Sequence, residues 1–237
     1  MTATTMPFSE HLVELRQRLI KSVIALGIGT VIAFIFNEQI LDLLVEPYRK
    51  LDPDAALATF KVTEAFSVVM RLSLWGGAIL ASPVITYQVW RFVEPALSKR
   101  EKRWVIPIVA VLAFLFLLGV FVGYLALERG LVFLLGFGGD ALVPVIGADY
   151  YLKFAMRFLL AFGIAFQFPV FLFAAAAFGM LTSKTLRSNR RWAIVLILIA
   201  AAVITPSGDP LTLMMLAVPL YILYEAAIVA IRLVLKK

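Results

Sequence analysis

Cysteine is absent from this chain, and histidine occurs once, at position 11. Without thiols there can be no disulfide and no thiolate metal site. A lone His11 cannot supply both axial ligands of a bis-histidine haem. Charge is scarce as well. Asp, Glu, Lys and Arg make up 16% of 237 residues, while 62% are hydrophobic. Soluble domains carry roughly 25% charged and roughly 45–50% apolar residues, so this chain lacks the polar side chains to cover a water-facing surface. Catalytic patterns are missing too. There is no His-Glu-x-x-His, no Gly-x-Ser-x-Gly and no Gly-Lys dipeptide, which excludes a Walker A nucleotide loop. The stretch "GFGGD" at 136–140 resembles an intramembrane aspartyl-protease motif only loosely, with the wrong spacing. No enzyme, no cofactor and no metal site is expected.

What the chain does have is long apolar runs, several reaching the roughly 20 residues needed to cross a bilayer. They are continuous rather than alternating, which argues against a β-barrel. The expected class is an all-α polytopic membrane protein, one integral membrane domain over 1–237. Six transmembrane helices are read at 19–36, 66–90, 104–127, 151–178, 192–205 and 211–231. Residues 7–18 are polar or amphipathic and no cleavable leader is read. The run 130–139 is apolar but too short to cross, and reads as interfacial.

Basic residues orient the spans. The side holding both termini carries 15 Lys and Arg, including Arg91, Lys99, Arg100, Lys102, Arg103, Arg187, Arg190 and Arg191. The other side has 5: Arg49, Lys50, Lys61, Arg129 and Lys153. Both termini are therefore expected in the cytoplasm, with the protein in the cytoplasmic (inner) membrane. The net charge of +7 is then a topology signal. It is no sign of nucleic-acid binding, because no basic stripe carries interleaved stacking aromatics. On the outer side, Ile40, Leu44 and Val45 have the spacing of a short surface helix, which Pro47 and Pro53 should break.

Residues 8–19, "FSEHLVELRQRL", place Phe8, Leu12, Leu15 and Leu19 on one stripe, as in an in-plane amphipathic helix leading into the first span. Glu14 and Arg18 form an (i, i+4) pair worth a few tenths of a kcal/mol, which by itself accounts for Glu14. Glu101 sits in "SKREKR", one turn before the third span, where a helix dipole favours an anion. That too is a sufficient local explanation. The fifth and sixth helices are expected to be short, the fifth only 14 residues or about 21 Å of helix, and "TPSGDP" at 205–210 turns tightly from one into the other. Counting from that turn puts Arg191 and Glu225 at similar depth and within reach of each other. Pro83, Pro169 and Pro219 lie inside spans and should kink them, giving a curved scaffold with a concave face.

Four stretches, "HLVELRQRL" (11–19), "SPVITYQVWRFVEPALSKREKR" (82–103), "AFGIAFQFPV" (161–170) and "ITPSGDP" (204–210), together resemble the TatC family, the core subunit of the twin-arginine protein translocase. The resemblance covers nearly the whole chain, in order. It implies a receptor for the signal peptides of folded precursor proteins, recognised by a consecutive arginine pair. The implied peptide-binding residues are Glu14, Arg16, Phe92, Glu94, Pro95 and Glu101. Pro47, Gln167 and Asp209 are implied as positions for structure or partners, and Glu225 joins them from the hairpin geometry. Implied partners are single-span subunits of the TatA and TatB type in an oligomeric complex within membrane lipid, with export driven by the proton-motive force. The family often has glutamate where this chain has Gln167, and an amide cannot titrate.

The chemistry is consistent with that resemblance. A carboxylate takes a guanidinium through two parallel hydrogen bonds, whereas lysine offers a point charge. Two such contacts, at roughly 1.5–3 kcal/mol each, supply only part of the roughly 8 kcal/mol of micromolar binding. The apolar part of the peptide must supply the rest. A small-solute transporter would be expected to show internal repeats, and none is evident. An intramembrane enzyme or redox subunit would need ligands or nucleophile pairs within the spans.

Overall fold

A computed structural model describes residues 8–51, 57–93, 105–137, 145–177 and 179–235. Nine α-helices are found among them. They are α1 (Phe8–Ile35), α2 (Asn37–Arg49), α3 (Glu64–Val93), α4 (Val105–Gly136), α5 (Ala148–Ala165), α6 (Phe168–Ala177), α7 (Ser183–Ser188), α8 (Arg190–Ile204) and α9 (Pro210–Ala230). A π-helical turn, Ile231–Leu235, follows α9. The described residues form no strand, only an isolated parallel bridge between Ala58 and Gly147. The chain divides into two compact units, 1–42 with 65–114, and 43–64 with 115–237.

Five stretches of helix are long and apolar enough to cross a membrane: His11–Ile35, Glu64–Phe92, Pro107–Gly136, Ala148–Ala177 and Pro210–Leu235. The fifth expected span, α8, has 15 residues, about 22 Å, and is as short as the sequence indicates; the sixth is not short, because α9 runs on through the π-helical turn and the apolar stretch Pro210–Leu235 has 26 residues. Along α1 the side chains of Val23, Ile28, Val31 and Ile35 are exposed, a surface that suits lipid and would be costly in water.

In the first unit α1 and α3 meet backbone to backbone. A Cβ on Gly29 would lie 2.6 Å from the Gly77 carbonyl oxygen, and one on Gly77 would lie 2.5 Å from the Thr30 nitrogen. Lipid offers no hydrophobic drive for helix association, so close packing through small residues must hold such pairs. In the second unit Gly119 and Gly123 of α4 do the same for α5. A Cβ on Gly119 would sit 2.6 Å from the Phe162 carbonyl oxygen, and the Phe158 and Phe162 rings, both fully buried, pack with centroids 4.7 Å apart and tilted by 36°.

Several local expectations are corrected. Segment 8–19 is no separate in-plane helix, because α1 runs unbroken from Phe8 to Ile35; no Gly or Pro occurs between Phe8 and Gly27 to interrupt it. Its Leu12, Leu15 and Leu19 are exposed. The run from Gly130 is not a separate segment, since α4 continues into it as far as Gly136. Gly130 is tolerated there because it faces the Thr212 side chain, where a Cβ would come within 2.9 Å. Pro47 does not break α2 but lies inside it, while Pro53 falls outside the described residues. The fourth span is interrupted at Phe166–Gln167, ahead of Pro169.

Proline leaves the carbonyl four residues back without its helical donor. At Pro83 that carbonyl belongs to Ile79, and the Ser82 hydroxyl donates to it at 2.7 Å. At Pro47 it belongs to Leu43, and the Tyr124 hydroxyl of α4 donates to it at 3.1 Å. A neighbouring tyrosine, Tyr151 of α5, donates to the Leu44 carbonyl at 2.7 Å. Pro47 is thus accommodated by side chains from elsewhere in its own unit.

Candidate functional site

The residues of interest in the first unit gather where the start of α1 meets the end of α3. His11, Glu14 and Arg18 lie at i, i+3 and i+7, one face of α1. Gln88 and Phe92 are i and i+4 on α3. The His11 ring stacks on Phe92 at 4.3 Å with 22° between planes. Arg18 Nη2 donates to Glu14 Oε1 at 3.1 Å, and Arg18 Nη1 donates to the Gln88 amide oxygen at 3.3 Å. One planar guanidinium so ties a carboxylate on its own helix to a buried amide on α3, through two donors held in a fixed fork. Side chains of Glu14 and Arg18 each remain about one-fifth exposed, leaving the carboxylate within reach of a ligand. Arg16 is exposed.

Of the expected binding residues, Glu14 and Phe92 are brought to this corner, whereas Arg16, about 200° around α1 from both Glu14 and Arg18, is exposed on another face. Glu94, Pro95 and Glu101 lie outside the described residues. His11, Arg18 and Gln88 were not singled out from the sequence as site residues. The heptad spacing of His11, Glu14 and Arg18 was the available signal.

In the second unit, Glu64 opens α3 and its buried carboxylate holds two loop segments. It accepts from the backbone N–H groups of Phe60 at 2.7 Å, Lys61 at 3.1 Å and Asp149 at 3.2 Å. Lys50 bonds Glu128 at 3.2 Å, and that hydrogen bond and charge raise the pKa of the exposed lysine above its ordinary value.

The hairpin joining α8 to α9 is built on Asp209. Gly208 takes a positive φ of 61°, which glycine adopts without steric cost. Asp209 then caps α9 by accepting from the Thr212 N–H at 2.8 Å and from the Thr212 hydroxyl. Pro210 fills the first helical position, where no N–H is needed. Burial acts most strongly against ionising Asp209, but hydrogen bonds from Ser207, Thr212 and Leu211 outweigh it and hold the pKa below the usual aspartate value.

Glu225 pairs with Arg190 rather than Arg191, which corrects the sequence expectation. The Arg190 Nη2 to Glu225 Oε2 distance is 2.6 Å, and Tyr221 also donates to Glu225 at 3.2 Å. Successive helical residues are about 100° apart, so only one of the two arginines can face α9; Arg191 is exposed. Gln167, at the break between α5 and α6, donates to the Gly163 carbonyl at 3.4 Å. Among the described residues no cluster of His, Cys, Asp and Glu could hold a metal ion.

The repeated apolar helices define a multi-pass membrane protein, and comparison with known proteins specifies its class as a component of a protein translocase. Residues 10–219 match the family model described as Sec-independent protein translocase protein (TatC). The TatC protein of Desulforapulum autotrophicum is 41% identical over 233 residues, covering 98% of this chain and 86% of the relative. That of Aquifex aeolicus is 42% identical over 226 residues, covering 94% and 93%. A crystal structure of a twin-arginine translocase receptor, TatC, in DDM matches with a TM-score of 0.80 at 41% identity, covering 94% of this chain and all of that one. This chain belongs to the TatC family.

Proposed function

We propose that this protein is the receptor and core subunit of a twin-arginine translocase. It binds the signal peptides of folded precursors at the cytoplasmic face of the inner membrane, where both termini lie. It exports them with TatA- and TatB-type single-span subunits, driven by the proton-motive force. The observation that carries the reading is the Glu14 corner. Glu14 already accepts a guanidinium, that of Arg18, yet keeps part of its surface open, so the contact required of a peptide arginine is one this carboxylate makes within its own chain. Glu101 is the second carboxylate of the pair, with Arg16, Phe92, Glu94 and Pro95 completing the surface. Related receptor structures at 41% identity support the assignment.

The test measures binding of an Arg-Arg signal peptide to Glu14→Ala and Glu101→Ala in membranes, with a Lys-Lys peptide as control. Each variant should insert normally and lose at least tenfold in affinity, the equivalent of about 1.4 kcal/mol. Wild-type affinity in both variants would refute the proposal.

A further inference from the structure

A second cluster of cations, remote in sequence from Glu14, has no assigned role. Ser183, Lys184, Arg187 and Ser188 of α7, Arg190 at the start of α8 and Arg232 in the π-helical turn after α9 together line an open cleft of about 550 Å³. All belong to the second compact unit. No lining residue is acidic. Arg190 is neutralised by Glu225 at 2.6 Å, but Lys184, Arg187 and Arg232 have no carboxylate partner among the described residues. Three uncompensated cations from two separate segments thus converge on one concavity that also offers serine hydroxyls.

The segments that carry these cations are apolar: Arg232 lies in the stretch Pro210–Leu235, long and apolar enough to cross a membrane. Leu233 and Val234 flank Arg232 and are 71% and 54% exposed, and Trp192, two residues beyond Arg190, is 68% exposed. Tryptophan at the end of an apolar helix marks the depth of lipid headgroups. A soluble anion has no use for apolar membrane helices next to its cations; a lipid does, with its phosphate among the cations and its chains along the helices that carry them. We propose that this cleft is a binding site for an anionic phospholipid, held by its phosphodiester headgroup. Guanidinium groups match phosphate oxygens in pairs, and lysine adds a point charge. Basic pockets between membrane helices on the side rich in Lys and Arg have the chemistry to hold such headgroups.

The experiment is native mass spectrometry of the purified full chain in detergent, titrated with phosphatidylglycerol, with phosphatidylcholine, or with inorganic phosphate. Each cation near an anionic lipid surface contributes about a fivefold gain in binding. Arg232→Gln should therefore weaken phosphatidylglycerol binding about fivefold, and the triple variant Lys184→Gln/Arg187→Gln/Arg232→Gln about a hundredfold. Phosphatidylcholine should bind weakly and equally to all forms, and Lys61→Gln, in the loop ahead of α3, should leave phosphatidylglycerol binding at the wild-type level. The single variant carries the test if the triple variant does not fold. Unchanged phosphatidylglycerol binding in Arg232→Gln, or an equal loss in Lys61→Gln, would overturn the site. Inorganic phosphate competing as strongly as phosphatidylglycerol would overturn the lipid as its ligand.

Discussion

Replacing Pro47 with alanine should make Tyr124 dispensable. Pro47 has no N–H, so the Leu43 carbonyl has no helical donor, and the Tyr124 hydroxyl supplies one at 3.1 Å. A typical hydrogen bond contributes about 0.5–1.5 kcal/mol, so Tyr124→Phe should cost about 1 kcal/mol in the native background. Pro47→Ala restores a backbone N–H that reaches Leu43, four residues back. In that background Tyr124→Phe should cost close to nothing, giving a coupling of about 1 kcal/mol in the double-mutant cycle. Tyr151 is the internal control. It donates to Leu44 at 2.7 Å, whose helical donor is residue 48, so Tyr151→Phe and Pro47→Ala should add independently. The readout is unfolding of the purified protein in mixed micelles, with helix content followed by circular dichroism. Equal cost of Tyr124→Phe with and without the Pro47→Ala substitution would refute the account of how α2 tolerates its proline.

Three further outcomes are expected. Stability from Asp209 should be fully present above its unfolded pKa, near 3.8, and lost as pH falls through its lower folded value. Asp209→Asn should flatten that part of the pH–stability curve measured by thermal unfolding, and a slope equal to wild type would contradict the capping role. Glu225→Gln should show coupling of up to about 1 kcal/mol with Arg190→Gln, as for a partly exposed ion pair, and none with Arg191→Gln; a denaturation cycle that finds the reverse would disprove the pairing. Gly77→Val should separate α1 from α3, since even a Cβ would fall 2.5 Å from the Thr30 nitrogen. Engineered cysteines at Ala25 and Val84, both lining the cleft between these helices, should then crosslink less readily than in the Gly77 background.

Much of the helical scaffold was legible because its signal is local and redundant. A run of about 20 apolar residues has few alternatives in a chain so poor in charge, and the short fifth span was measurable by counting. The tight turn into α9 was legible in "TPSGDP", since glycine and proline act on their immediate neighbours. Failures clustered where a local rule met a distant partner. Pro47 looks like a helix breaker until a tyrosine 77 positions later repairs its lost bond. Gly130 looks like an end of helix until Thr212 packs against it.

By itself the amino-acid sequence determined the class of the protein, the approximate number and length of most of its apolar helices, its family, and the presence of carboxylates within otherwise basic stretches of chain. It could do so because hydropathy and capping depend on residues within a few positions of one another. Only the tertiary structure decided which of two adjacent arginines meets Glu225, that Arg18 links Glu14 to Gln88, and that Lys184, Arg187 and Arg232 share one cleft. Those depend on the rotation of one helix against another, which close packing sets and which no single segment encodes.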